Sequence, residues 1–302
     1  MEELKLNLKS LASDLGFADC KVTDEISLTM AESHFRKWIE KKYNYKMSFL
    51  ERNIEKYCDL KKVLPEARST IDSSISYNFK QPVNKDLKIS RYALIKDYHT
   101  VILEKLKRID NSLCEKVENY KSKIYVDTGP VLEKQIARAA GIGWQGRNSL
   151  IISQEYGSWI FLGVIITNLD LPKDEKVEDR CGDCRLCIEN CPTQAITENR
   201  NIDAAKCIAY WTIESKEDEF PDFIRKNQNK WAYGCDICQE ICPWNKNAKA
   251  AECKDFVLQK DISSLSRKDI EEMNESQFKE TFKDSPIYRI GLKRLKRNIE
   301  GV

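Results

Sequence analysis

Four cysteines in the run Cys181-Gly-Asp-Cys184-Arg-Leu-Cys187-Ile-Glu-Asn-Cys191-Pro192 constrain this chain more than any other feature. Three thiolates at every third residue wrap one iron–sulfur cubane, and the fourth, pinned by the following proline, points toward a second. A partner run lies downstream, Cys235-Asp-Ile-Cys238-Gln-Glu-Ile-Cys242-Pro243. It lacks the first cysteine of a full motif, and Cys207, between the two runs, completes the count. Crossed ligation assigns Cys181, Cys184, Cys187 and Cys242 to one 4Fe-4S cluster, and Cys191, Cys207, Cys235 and Cys238 to the other. Two adjacent clusters form a short electron path, so the expected chemistry is redox.

Structural zinc held by paired CxxC knuckles is the bland alternative, but it leaves both Cys-Pro ends and Cys207 without a purpose. Disulfides would suit an exported chain, and nothing here marks one. The opening Met1-Glu-Glu-Leu-Lys-Leu lacks an apolar core with a small-residue cleavage site. No stretch approaches the roughly 18 to 20 apolar residues of a membrane span. A reducing cytoplasm is the expected location. Cys20, Cys58, Cys114 and Cys253 follow no ligand spacing and read as packing residues.

The chain has 302 residues, enough for two domains or one with an insert, and 32% of them are charged. Fifty basic against forty-eight acidic residues gives +2, so total charge does not announce a nucleic-acid binder. Between Lys283 and Arg297, however, stand six basic residues and one acid, Asp284. That tail suits phosphate contact or a solvated helix face, and the sequence leaves both readings open.

Hydrophobic periodicity predicts an α+β fold: an N-terminal mixed domain around a sheet, a ferredoxin-like two-cluster module, and a short helical tail. Leu4, Leu6, Leu8, Leu11 and Leu15 mark a helix stopped by Gly16, and residues 17–22 a short strand. Residues 28–42 read as a helix with Phe35, Trp38 and Ile39 on one face. A strand follows near 70–77, then a long helix from about Tyr98 through Leu113. Residues 123–126 form a strand, Asp127-Thr-Gly-Pro130 a turn, and 131–140 a helix with proline near its first position. Residues 149–153 and 159–167 read as two strands joined at Gly157. The expected domains are 1–174, 175–248 and a polar, basic tail over 249–302.

Gly141-Ile-Gly143-Trp-Gln-Gly146 matches the glycine pattern of dinucleotide binding, but it follows a helix and precedes strands, the reverse of the required context. The same stretch misses a P-loop, with Arg147 and Asn148 where Lys and Ser or Thr belong. These glycines are expected to cap the helix and let backbone approach something flat. On the residues alone Asp127 reads first as part of the turn before a helix.

Taken together, Arg91-Tyr-Ala, Asp97-Tyr-His99, Val126-Asp-Thr-Gly-Pro-Val-Leu-Glu133, Gly141 to Asn148, Gly157-Ser-Trp159, Lys206-Cys-Ile208 and Tyr233 to Asn245 closely resemble the epoxyqueuosine reductases. The likeness covers most of residues 45–246. It implies an oxidoreductase that removes the epoxide oxygen of epoxyqueuosine at the tRNA wobble position, the last step of queuosine biosynthesis. It further implies cobalamin on the N-terminal domain, electrons reaching it through two 4Fe-4S clusters, an external low-potential donor, and a monomer. Asp127 matches the proposed proton donor, and burial against an apolar corrin is expected to raise its pKa. The implied cobalamin contacts are Ser90, Asp127, Gly146, Arg147, Asn148, Ser149, Ile151, Gly157, Ser158 and Trp159. His99 approaches the cobalamin-ligand pattern Asp-x-His-x-x-Gly, but Ile102 replaces the glycine, so it reads as structural. Tyr57-Cys-Asp-Leu60 departs from the Arg-x-Asp-Pro turn of many relatives. The chain also ends without the helical repeats of longer members, which leaves the basic tail to contact tRNA. Rival readings are a reductive-dehalogenase-like corrinoid enzyme, which usually carries a twin-arginine signal, a plain two-cluster electron carrier, and a zinc-stabilised RNA-binding module.

Overall fold

The computed structural model describes residues 1–80, 84 and 86–300; Gly301 and Val302, the end of the expected tail, lie outside them. Eight strands are described: β1 (Asp19–Thr23), β2 (Ser69–Ser76), β3 (Lys88–Ile89), β4 (Ser122–Tyr125), β5 (Trp144–Gln145), β6 (Ile151–Ile152), β7 (Ile160–Thr167) and β8 (Trp231–Tyr233). The N-terminal helices are α1 (Glu2–Asp14), α2 (Thr29–Glu40), α3 (Ile54–Cys58), α4 (Tyr98–Lys116) and α5 (Glu133–Ala140). Four strands make one antiparallel sheet in the order β1-β2-β7-β4.

Period-two alternation gives that sheet two buried faces. Ile71 and Ile75 of β2, with Phe161 and Ile165 of β7, join Leu8 and Ala12 of α1 and Ile102, Leu106 and Ile109 of α4. The intervening Val164 and Ile166 face the other way, where they meet Ile136 of α5 with Leu60, Leu64 and Val131. Gly163 lets α4 cross β7 closely, because a Cβ there would stand 2.8 Å from Leu106 and 2.9 Å from Ile102. The mixed α/β core follows the sequence pattern.

Two boundaries moved for local reasons. The helix after the DTGP turn begins at Glu133, leaving Asp127 to Leu132 as loop. Residues 149–153 do not form a hairpin with β7; β6 pairs with β5, so the glycine-rich stretch is itself half of a small ladder.

The cysteine-rich region carries α6 (Leu186–Glu189), α7 (Asp222–Asn227), α8 (Ile237–Glu240) and α9 (Pro243–Lys246). It joins the first half through the parallel β3–β8 pair. Helices α10 (Lys260–Ser264), α11 (Arg267–Glu272), α12 (Glu275–Phe282) and α13 (Gly291–Ile299) close the chain. They bury Ile262, Ile270, Phe278, Phe282, Leu295 and Ile299 against Leu87, Leu94 and Tyr233. This segment therefore has an apolar side that its charge-rich composition conceals. Among the described residues no helix is long and apolar enough to cross a membrane.

Candidate active site

Each cysteine run folds into a loop followed by a one-turn helix, α6 or α8, and the two helices pack on each other. All twelve cysteines are free thiols. Burial pushes the Cys187 thiol up to about 11, and the nearest like charges adding to that shift are Cys181, Cys242 and Cys184. Burial likewise raises Cys235, whose closest thiol neighbours are Cys207 and Cys191, and Cys238, whose neighbours are Cys235 and Cys207. Cys238 also feels Cys187, from the other run. Among the described residues no three ligating side chains converge on one ion.

Backbone N–H groups meet several of these sulfurs: Ala195 on Cys191 at 3.3 Å, Tyr210 and Ala209 on Cys207, Ile237 on Cys235, and Trp244 and Asn245 on Cys242. Such donors favour thiolate over thiol. Buried, closely set thiolates with amide donors fit a cationic iron–sulfur core, which relieves the mutual repulsion that an empty tetrad carries.

Beside the second tetrad opens a cleft of about 920 Å³, and Cys207 is part of its lining. One wall is apolar: Met30, Phe35 and Trp38 of α2, then Phe49 and Tyr57. The opposite wall is polar, built from the loop and helix that run from Asp127 to Arg138. A wide slot with one apolar side and polar groups opposite, ending at a cluster thiol, fits a flat macrocycle with amide substituents.

Asp127 stands in this loop with a left-handed backbone, φ +61°. Its amide donates to Glu133 Oε1 at 2.7 Å. Its carboxylate faces His99 Nε2 at 3.3 Å, and 62% of the side chain remains open to the cleft. His99 in turn meets Asp97 through Nδ1 at 2.7 Å, while Asp97 caps α4 by accepting from the His99 amide. Tyr98 stacks on His99 at 4.0 Å and on Phe161 at 4.1 Å, which fixes the ring.

These contacts set where the protons of the site sit. Burial pushes the Asp127 carboxyl up, but bonds from His99 and Tyr98 outweigh it and hold the group below its usual range. Burial pushes His99 down, yet its bonds to Asp127 and Asp97 hold it at about 9. Glu133, raised by burial and by the Asp127 charge, titrates at about 8. Near neutral pH the protons therefore reside on His99 and Glu133, on either side of an ionised Asp127. Sequence reasoning set His99 aside, although Asp97-Tyr-His99 already stood at the start of a helix that Asp97 could cap.

Of the ten residues expected around cobalamin, Asp127 and Ser149 line the cleft. Ser90, Gly146, Arg147, Asn148, Ile151, Gly157, Ser158 and Trp159 are not among the residues lining that cleft, and several of them hold the cysteine loops. Ser90 Oγ donates to Asp236 at 2.5 Å, Arg147 donates to the Gly182 carbonyl at 2.9 Å, and Asn148 donates to the Cys238 carbonyl at 3.4 Å. Ser158 Oγ donates to Gln239 at 2.9 Å, and its amide donates to Asn245 at 2.7 Å. Gly157, φ +60°, leaves room for Asn245, whose Oδ1 would sit 2.0 Å from an added Cβ. Arg91 covers the Trp159 ring at 4.0 Å, and Ile151 is 3% exposed. Gly146 is closed in by Ile152 and Asn148.

The basic tail is committed to the protein as well. Arg289 pairs with Glu214 at 2.6 Å and Lys293 with Asp218 at 2.7 Å. Arg297 is 4% exposed and donates to the carbonyls of Trp211, Ser215 and Glu217.

Residues 58–128 match the family described as "Epoxyqueuosine reductase QueG, DUF1730", and residues 180–245 match the "4Fe-4S double cluster binding domain". The epoxyqueuosine reductase of Cellulophaga algicola is 37% identical over 97% of this chain and 96% of its own length. The solved epoxyqueuosine reductase of Streptococcus thermophilus superposes with a TM-score of 0.88 at 32% identity, covering 98% of this chain and 79% of that one. A crystal structure of an epoxyqueuosine reductase with an epoxyqueuosine-modified tRNA-Tyr stem loop matches with a TM-score of 0.88 at 28% identity, over 99% of this chain and 80% of that one. Likeness over both the sheet domain and the cysteine module leaves no place for a bare electron carrier or a zinc-only module. The chain belongs to the epoxyqueuosine reductase family.

Proposed function

We propose that this chain reduces epoxyqueuosine to queuosine at the wobble position of a tRNA anticodon. One observation carries the reading: the cleft that presents Asp127 is also lined by Cys207, one of the eight expected cluster ligands. The overall change adds two electrons and two protons to the epoxide, breaks both of its C–O bonds, and releases the oxygen as water. When bound, cobalamin in the cleft and the two 4Fe-4S clusters supply those electrons at low potential. Cys181, Cys184, Cys187 and Cys242 hold one cluster, and Cys191, Cys207, Cys235 and Cys238 the other. Residues 1–174 form the catalytic domain, 175–248 the cluster module, and 249–302 a basic C-terminal tail. The setting is the cytoplasm, and a separate low-potential protein or reductant feeds the clusters.

The protein's own task is proton supply and water exclusion. Asp127 presents an oxygen to the cleft and takes its proton from His99, which stays charged up to about pH 9. Asp97 holds the imidazole in place from behind. The apolar α2 wall limits bulk water, so the developing oxyanion is neutralised by this relay. Ser149, and the backbone around it, offers polar contacts on the opposite side.

Anaerobically reconstituted protein with cobalamin and a chemical reductant should convert an epoxyqueuosine-bearing anticodon stem-loop to queuosine, read by mass spectrometry of the nucleosides. Cys238→Ser should halve the iron content and stop turnover. Absence of conversion by protein holding both clusters and cobalamin would remove the proposal.

A further inference from the structure

Helix α2 is amphipathic, yet none of its residues is buried. Its apolar side touches the core only through the partly buried Ala31 and otherwise forms one wall of the cleft. Met30 is 83% exposed and Phe49, on the adjoining turn, 52% exposed. Behind them Phe35 and Trp38 stack at 6.0 Å with 15° between ring planes. Trp38 is anchored by its Nε1 donating to the Ile202 carbonyl at 2.9 Å, and His34 meets Asn201 at 2.6 Å. The wall is therefore held firm while its outer edge, Met30 and Phe49, stays bare. A rigid exposed apolar edge at a polar cleft marks a recognition surface.

Across the cleft, Arg138 of α5 is exposed and makes no ion pair among the described residues. Arg200, also on the lining, is already bound to Asp179 and to the Gln145 carbonyl. One side of the mouth thus presents a ring and a thioether, and the other a free guanidinium. A flat apolar surface facing a cation suits an unpaired nucleobase together with its phosphate.

We propose that this mouth holds the anticodon-loop nucleotide next to the reacting one, with its base on Phe49 and Met30 and its phosphate on Arg138. This rests on the reading of the substrate as an anticodon loop and adds which face of the protein reads it. Stacking there draws the neighbouring base out of the loop and leaves the modified nucleoside free to enter toward Asp127.

The test uses binding rather than turnover. A fluorescent anticodon stem-loop RNA with unmodified guanosine at the wobble position is titrated against cluster-loaded protein without cobalamin. Phe49→Ala should weaken binding about tenfold, the loss of one stacked base. Arg138→Gln should lower the slope of log affinity against log salt by about 0.7, one single-strand phosphate contact. Both positions are exposed, so folding and cluster absorbance should match the parent protein. Lys107→Gln, on the outer face of α4, should leave affinity unchanged. Parental affinity and slope in both cleft variants overturn the proposal. So does a Phe49→Ala protein that loses cobalamin uptake but keeps its RNA affinity, because the wall then serves the corrin alone. If the two binding effects appear while turnover fails, docking stands and the assigned reaction falls. If turnover succeeds with unchanged binding, docking alone falls.

Discussion

The proton between His99 and Asp127 makes the sharpest quantitative claim. His99 stands at about 9 against an ordinary value of 6.5, a rise of about 2.5 units that survives partial burial. Two carboxylates produce it, Asp97 at 2.7 Å and Asp127 at 3.3 Å. An opposite charge at such range moves a pKa by about 1 to 3 units. Asp127→Asn should therefore lower the His99 midpoint by roughly one to two units while Asp97 continues to hold the ring. The sign follows from the direction of the shift. A folded-state pKa above the unfolded one stabilises fully below pH 6.5, and that contribution fades as pH rises through 9. The variant should lose it at lower pH. The chain has two histidines, so an imidazole NMR titration of oxidised protein resolves two curves, and a His34→Gln control assigns them. Turnover should follow the same titration, falling above about pH 9 in the parent protein if His99 supplies the proton. An Asp127→Asn midpoint within about 0.3 unit of the parent refutes the coupling, since a charge this close must register.

Two further outcomes concern stability. Asp72, on the central strand β2, is 1% exposed; Thr70 donates to its Oδ2 at 2.7 Å, and its Oδ1 finds no partner among the described residues. Burial raises it from 3.8 to about 7, so ionising it in the fold costs on the order of 4 kcal/mol, and stability declines as pH climbs from about 4 to 7. Asp72→Asn should raise the thermal midpoint much more at pH 8 than at pH 5, and a pH-independent change would contradict the reasoning. Arg297→Met should strand the carbonyls of Trp211, Ser215 and Glu217, costing about 3 kcal/mol or more, and loosen the segment after Cys207. Thermal melting and iron content should both fall, and parental values for both would show that water replaces the guanidinium at no cost.

The sequence spoke most clearly where the physics is local. Cysteine spacing depends on a few bonds of backbone, and the alternation of Ile71 and Ile75, or of Val164 and Ile166, depends only on which side a strand residue faces. It misled where a residue's character is set by something distant along the chain. Asp127 reads as an acid alone in a turn until His99, 28 residues earlier on α4, is brought against it. Six basic residues near the end read as one charge run, but the carbonyls of 211–217 bury Arg297, while Arg289 and Lys293 stay at the surface beside Glu214 and Asp218. The glycine, serine and tryptophan motifs suggest a cofactor cradle, and several of them also grip the cysteine loops, as Ser158 grips Asn245 and Asn148 the Cys238 carbonyl. A cluster that must pass electrons into a cleft needs its protein ligands held at fixed separation from that cleft, because transfer weakens steeply with distance. Sequence motifs around a redox centre then record the clamp as much as the chemistry.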